Sequence, residues 1–162
     1  MTNDETKASM KTKVLKYSSL MKEGSNTEAQ NYRNLSYIIL TDADLSNTNL
    51  RDAKLLGANL SNSTLRYANL SNANLSDSNL SDTNLRDANL SDANLSNSNL
   101  SYANLSDANL SNSNLRNANL TSADFTGAKL TGANLRGAKF KNTTLTIGNV
   151  VRTISDNSDV II

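Results

Sequence analysis

Histidine and cysteine are both absent from this 162-residue chain. The first absence removes the commonest general base. The second removes the thiol nucleophile and the disulfide, and the two together remove nearly all structural zinc chemistry. Glutamate is confined to Glu5, Glu23 and Glu28, and aromatic residues make up only 4%. No apolar run reaches the roughly 18 residues of a membrane span, so none is expected. The opening Met1–Lys7 lacks the basic-then-apolar layout of a signal peptide. Without cysteine nothing argues for an oxidising compartment, and the expected location is the cytoplasm. Serine is abundant, yet each serine occupies a repeat slot with no base beside it. Neither a glycine-rich phosphate loop nor a calcium-binding nonapeptide is present. The expectation is therefore no enzyme, no cofactor, no metal and no small-molecule substrate.

What the chain has instead is a beat. A Leu or Phe falls on every fifth residue from Leu35 to Leu145, with Phe only at Phe125 and Phe140. An α-helix would spread that spacing around its whole circumference, and a straight strand would alternate it between two faces. A chain that turns a corner every five residues points all of these side chains inward. Four such sides make a coil of 20 residues, and stacked coils make a solenoid. Leu60, Leu80, Leu100 and Leu120 would then form one interior column, with Leu40, Leu45 and Leu50 near its start and Phe125 and Phe140 near its end. Drift in a disordered Asn/Ser-rich chain would not hold this phase.

The other slots agree. Two residues before each Leu (position i) the side chain is small from Ala43 to Ala138, as a second inward position requires. Position i−1 points out and is Asn without a break from Asn69 to Asn119, so Asn59, Asn79, Asn99 and Asn119 should stack as an external ladder. Position i+1 is Ser, Thr, Arg or Lys except at Leu56. Position i+2 is Gly, Asn or Asp at most sites, the residues that suit the positive φ of a type II turn. The corner therefore belongs at i+1 and i+2. Tyr67 and Tyr102 suit positive φ poorly, and a different turn type is expected there. Ile38 is too large for a standard i−2 slot and is read as an edge layer.

Segments such as Ala88–Asp92, Ala108–Asn112 and Ala128–Gly132 resemble the A-(D/N)-L-x-x motif of the pentapeptide repeat family. The resemblance implies an all-β solenoid, a right-handed quadrilateral β-helix of four pentapeptides per coil. It implies no particular biochemical activity. From Leu40 to Leu145 the beat gives about five and a half coils, a rod of roughly 26 Å at the spacing of paired strands.

Three regions follow: a helical cap and polar linker over 1–30, the repeats over 31–149, and an apolar tail over 150–162. Within the first, residues 4–23 are expected to be helical. Met10, Val14, Tyr17 and Met21 form one stripe, Asn3 or Asp4 stands at the start and Gly24 at the stop. The five lysines around this stripe fit a membrane-surface helix less well than a cap on the first coil, whose open edge must be hidden. The tail, with Val150, Val151, Ile154, Val160, Ile161 and Ile162, either caps the last coil or pairs with another chain. The chain is thus expected to be a monomer or a homodimer joined through that tail.

Charge separates the possible roles. From Ser36 to Leu145 nine Asp oppose nine Lys and Arg, a net charge of zero. Some members of the family mimic DNA with a strongly acidic surface and occupy DNA gyrase. A mimic needs a dense negative field, and a direct nucleic-acid binder a long basic stripe. Neither develops along the repeats: Arg66 stacks under Arg86 and Arg116 under Arg136 without forming a long basic stripe, and these Arg pairs, flanked by Asp87 and Asp107, read as solvated salt-bridge faces. The leading expectation is a scaffold that meets an unknown protein partner. An ice or carbohydrate binder is a weaker reading, because Thr121 is followed one coil later by Lys141.

Overall fold

The computed structural model describes residues 3–24, 29, 33–147 and 150–154, and for 3–7, 147 and 150–154 the backbone alone. The repeats form a solenoid. Parallel bridges run from Asn34↔Lys54 to Asn119↔Lys139, and each joins a residue to the one 20 positions later. With a turn at every i+1/i+2 pair, a coil has four sides. Each side carries a single bridging residue, so regular strands are scarce even though the coils pair throughout.

In the repeat Leu60–Thr64 every N–H finds an acceptor. Leu60 N–H donates to Asn79 O (2.8 Å) and Asn62 N–H to Ser81 O (3.0 Å), both in the following coil. Thr64 N–H donates back to Ala43 O (2.8 Å), and Ser63 N–H closes the corner on Leu60 O (3.2 Å). Ser61 N–H has no backbone acceptor and takes the Oδ1 of Asn59 at 3.2 Å. This last bond explains the asparagine at i−1. It is the side chain that receives the corner's otherwise orphaned donor, an Asx arrangement.

The corners hold one conformation. All of the second corner residues from Tyr37 to Asn142 have positive φ, between 56° and 61° for the non-glycines. Tyr67 and Tyr102 are no exception, at 57° and 61°, so the separate turn type expected for them does not occur. The coils decide the matter. Tyr67 N–H bonds Arg86 O and Tyr102 N–H bonds Thr121 O, while Ala68 and Ala103 close the same turns on Leu65 and Leu100. That frame imposes the left-handed backbone, at a cost of about 1–2 kcal/mol for a residue with a Cβ. The rings meet no steric penalty because they project into solvent.

Inside, Leu35 through Leu120 lie at most 1% exposed, and Phe125, Phe140 and Leu145 close the far end. The small i−2 residues fill the space between them, and Ile38 is buried too. Where i−2 is polar, its hydroxyl is matched: Ser78, Ser98 and Ser113 donate to the carbonyls of Leu75, Leu95 and Leu110 at 2.6–2.7 Å. Burying each Leu contributes about 1.5–3 kcal/mol before the opposing chain entropy.

Helix α1 spans Asn3–Lys22 and stops at Gly24, whose φ is +75°. Val14, Tyr17, Ser18 and Leu20 are buried, and Met10 and Met21 pack half-buried against the same core. At the other end, β1 (Asp124–Phe125) pairs in parallel with β2 (Thr143–Ile147), keeping the 20-residue register. Strand β3 (Val150–Ile154) then pairs antiparallel to β2, from Thr143↔Ile154 to Ile147↔Val150. The chain reverses where a further coil would have run on. Val150, Val151 and Ile154 lie in β3, whereas Val160, Ile161 and Ile162 fall outside the described residues.

Candidate functional site: polar faces between two dressed ends

Three of the four faces carry asparagine ladders. Asn89 Nδ2 donates to Asn69 Oδ1 and Asn109 to Asn89 on one face, and Asn94 to Asn74 and Asn114 to Asn94 on the second. On the third, Asn99 donates to Asn79 at 3.3 Å and Asn119 to Asn99 at 3.1 Å. The same Oδ1 atoms accept the corner N–H, and at Asn69, Asn74, Asn109 and Asn119 also the Ser or Thr hydroxyl two residues on. The ladder's acceptors are thus occupied within the lattice, and the hydrogens left over point outward as donors.

The N-terminal edge is dressed by polar groups as well as by the apolar stripe. In the first coil Asn49 N–H is taken by Ser18 Oγ at 2.7 Å, and Asn34 O receives Lys13 Nζ at 2.7 Å. Tyr17 OH donates to Arg51 O, and Arg33 Nε to Asp52 O. Side chains here replace the bonds that a neighbouring coil supplies elsewhere. Periodicity revealed the apolar stripe, but Ser18 and Lys13 carried no signal, since nothing in a helix marks a hydroxyl as the acceptor for a distant N–H. Burial pushes the Tyr17 phenol pKa up, with Asp52 adding to the effect. Asp44 lies below the usual carboxylate range because Ser46 donates to it through its hydroxyl and its backbone N–H. A cleft of about 470 Å³ beside the cap is lined by Tyr17, Met21, Gly24, Asn49, Arg51, Asp52 and Asn69.

Charges are distributed unevenly along the rod. Asp77, Asp82, Asp87 and Asp92 occupy the four corners of a single coil. Arg86 reaches both Asp87 (3.4 Å) and Asp107 (3.5 Å), so the stacked Asp pair is bridged by a cation. The Arg66 guanidinium lies 5.1 Å from the Tyr67 ring centroid. Beyond Asn112 the sign changes: Arg116, Lys129, Arg136, Lys139 and Lys141 are exposed, and Asp124 is the one acid up to Ile147. Among the described residues no group of three or more His, Cys, Asp or Glu could hold a metal ion, and no helix is long and apolar enough to cross a membrane.

Comparison with known proteins places this architecture. The pentapeptide repeats family matches in eight copies, over residues 34–66, 43–82, 65–101, 78–117 and 103–142. The structure resembles the pentapeptide repeat protein Rfr23 of the cyanobacterium Cyanothece 51142, at 29% identity and a TM-score of 0.66, covering 79% of this chain and 97% of that one. A pentapeptide repeat protein of the Arabidopsis thaliana thylakoid lumen is similar at 31% identity and a TM-score of 0.50, covering 65% of this chain and 70% of that one. No curated protein matches the sequence. Through its repeats and the solenoid they build, the chain belongs to the pentapeptide repeat family.

Proposed function

We propose that this protein is a non-enzymatic scaffold, a right-handed quadrilateral β-helix whose flat faces, or whose C-terminal end, meet a protein partner. The observation that carries this reading is the set of three Asn ladders, whose order is built into the backbone lattice and leaves a rigid, flat, donor-bearing surface. Such a surface presents a repeating pattern without a cavity. Photo-crosslinkers placed singly at Asn79, Asn94 and Asn109 in the producing cell test it. A discrete crosslinked protein at one face and not at the others supports the scaffold; no product from any face removes the faces as its binding surface.

A gyrase-directed DNA mimic is the alternative from another class. The acidic coil bearing Asp77 to Asp92 is a single belt, followed by a basic end, whereas mimicry calls for a dense negative field along the rod. Purified protein that neither inhibits nor protects gyrase in a supercoiling assay removes this alternative. An ice or carbohydrate binder would need flat ranks of one side chain, and Lys139 and Lys141 interrupt the third face at its end. For assembly, we infer that the tail serves its own chain, since β3 pairs with β2. Light scattering of the full chain against one ending at Leu145 checks this: a dimer that becomes a monomer on truncation overturns it.

A further inference from the structure

The zero net charge of the repeats covers a separation along the rod. Arg116 and Arg136 are stacked one coil apart on the same corner, where Asn117 N–H bonds Arg136 O at 3.0 Å. In Arg136's own coil, Lys139 occupies the middle of the adjoining face and Lys141 the next corner. All four side chains are exposed, and among the described residues none forms an ion pair. We propose that this basic end of the third face binds the phosphate backbone of single-stranded nucleic acid, without reading its sequence. The site shares the third of the partner-binding faces proposed above and lies at its basic end, beyond the ladder that starts at Asn79.

The surroundings of the four cations favour this occupant over other anions. Between and beside them stand Asn119, Thr121, Ser122 and Asn142, all polar. A membrane surface needs apolar side chains to insert, and among the described residues no exposed large aliphatic side chain stands at this face end. Asn119 Oδ1 is consumed by the N–H and hydroxyl of Thr121, so the asparagine turns its remaining donor outward, as a phosphate oxygen requires. Tyr102, 63% exposed, stands two coils earlier on the Lys141 corner, a ring on which a base can stack. The acidic coil at Asp77–Asp92 repels the rest of the strand and confines it to the end of the rod.

The test is fluorescence anisotropy of the full chain with a labelled single strand of about 20 nucleotides, titrated over a range of salt. Four phosphate contacts at roughly 0.7 each predict a slope near −3 for log affinity against log salt. The triple variant Arg136→Ala, Lys139→Ala, Lys141→Ala should bring that slope to about −1 and weaken binding at about 50 mM salt at least tenfold. Lys54→Ala, on another face near the opposite end, should change nothing. An unchanged circular-dichroism melt shows that the exposed substitutions leave the solenoid intact. The proposal is overturned by absence of binding at low salt or by a slope unaffected in the triple variant. Displacement of the strand by polyglutamate or anionic vesicles at equal charge would overturn it too, since the end would then bind any anion. None of these outcomes bears on the crosslinking test of the scaffold.

Discussion

The ring of Tyr37 fills the space that a Cβ on Gly57 would need: its Cδ1 and Cε1 each stand 2.6 Å from that position. The two residues are stacked one coil apart on the same corner, and Gly57 has φ +63°. Gly57→Ala therefore carries two costs, the left-handed backbone and displacement of the ring, together about 1–3 kcal/mol. In a Tyr37→Ser background only the first remains. A urea-denaturation double-mutant cycle should show a coupling of about 0.5–1.5 kcal/mol, and zero coupling would mean that the ring swings aside freely. At Gly127 the obstacle is the flexible carboxylate of Asp107, so Gly127→Asn should stay within about 0.5 kcal/mol of the parent.

The role of asparagine at i−1 can be separated into its parts. Asn99 Oδ1 accepts Ser101 N–H at 3.2 Å and Asn119 Nδ2 at 3.1 Å. Asn99→Ala removes both acceptor functions and should cost about 1–3 kcal/mol. Asn99→Asp keeps an acceptor for the corner, as Asp44 and Asp124 do for Ser46 and Thr126, and should cost less than half as much. Equal thermal shifts for the two variants would show that the corner bond contributes little.

Ser18 is the polar part of the cap. Its hydroxyl is the acceptor for Asn49 N–H and is only 4% exposed. Ser18→Ala leaves a donor without its partner, at about 1–3 kcal/mol. Amide hydrogen exchange should report faster exchange at Asn49 in the variant, with Asn89 and Asn109 unchanged. Uniform acceleration along the rod would mean that the cap and coils unfold as one unit.

Tyr17 links stability to alkaline pH. Burial raises its phenol above the ordinary 10.0, so the folded state favours the protonated form more than the unfolded state does. Its contribution is fully present below that value and is lost as pH rises through the raised one. Tyr17→Phe should reduce the alkaline loss of stability that sets in above the ordinary phenol value of 10.0, measured as urea midpoints against pH. Identical pH profiles for parent and variant would place the loss elsewhere.

Replacing Leu100 by Ala tests the core itself. Leu100 is fully enclosed, and a cavity there should cost about 2–5 kcal/mol. A thermal midpoint within about a degree of the parent would mean that neighbouring coils collapse into the space, with the cost falling well below that range.

The period of five, the inward Leu and small side chains and the corner at i+1 and i+2 were legible in the sequence. Each follows from local sterics repeated many times, so single irregularities do not obscure it. The helix was legible too, through the spacing of Met10, Val14, Tyr17 and Met21. What only the tertiary structure decided depends on residues brought together from neighbouring coils or from opposite ends of the chain. The backbone at Tyr67 and Tyr102 is set by bonds to Arg86 and Thr121, which outweigh the preference of tyrosine for negative φ. Ser18 becomes a cap only because Asn49 lies beside it, and β3 reverses direction only where no coil follows to receive β2. The separation of charge was legible in part: the acids of one coil are consecutive corners, and Arg116 stacks under Arg136 by the twenty-residue repeat alone. Only the structure decided that both arginines stand exposed with Lys139 and Lys141 and that, among the described residues, none of the four is held in an ion pair.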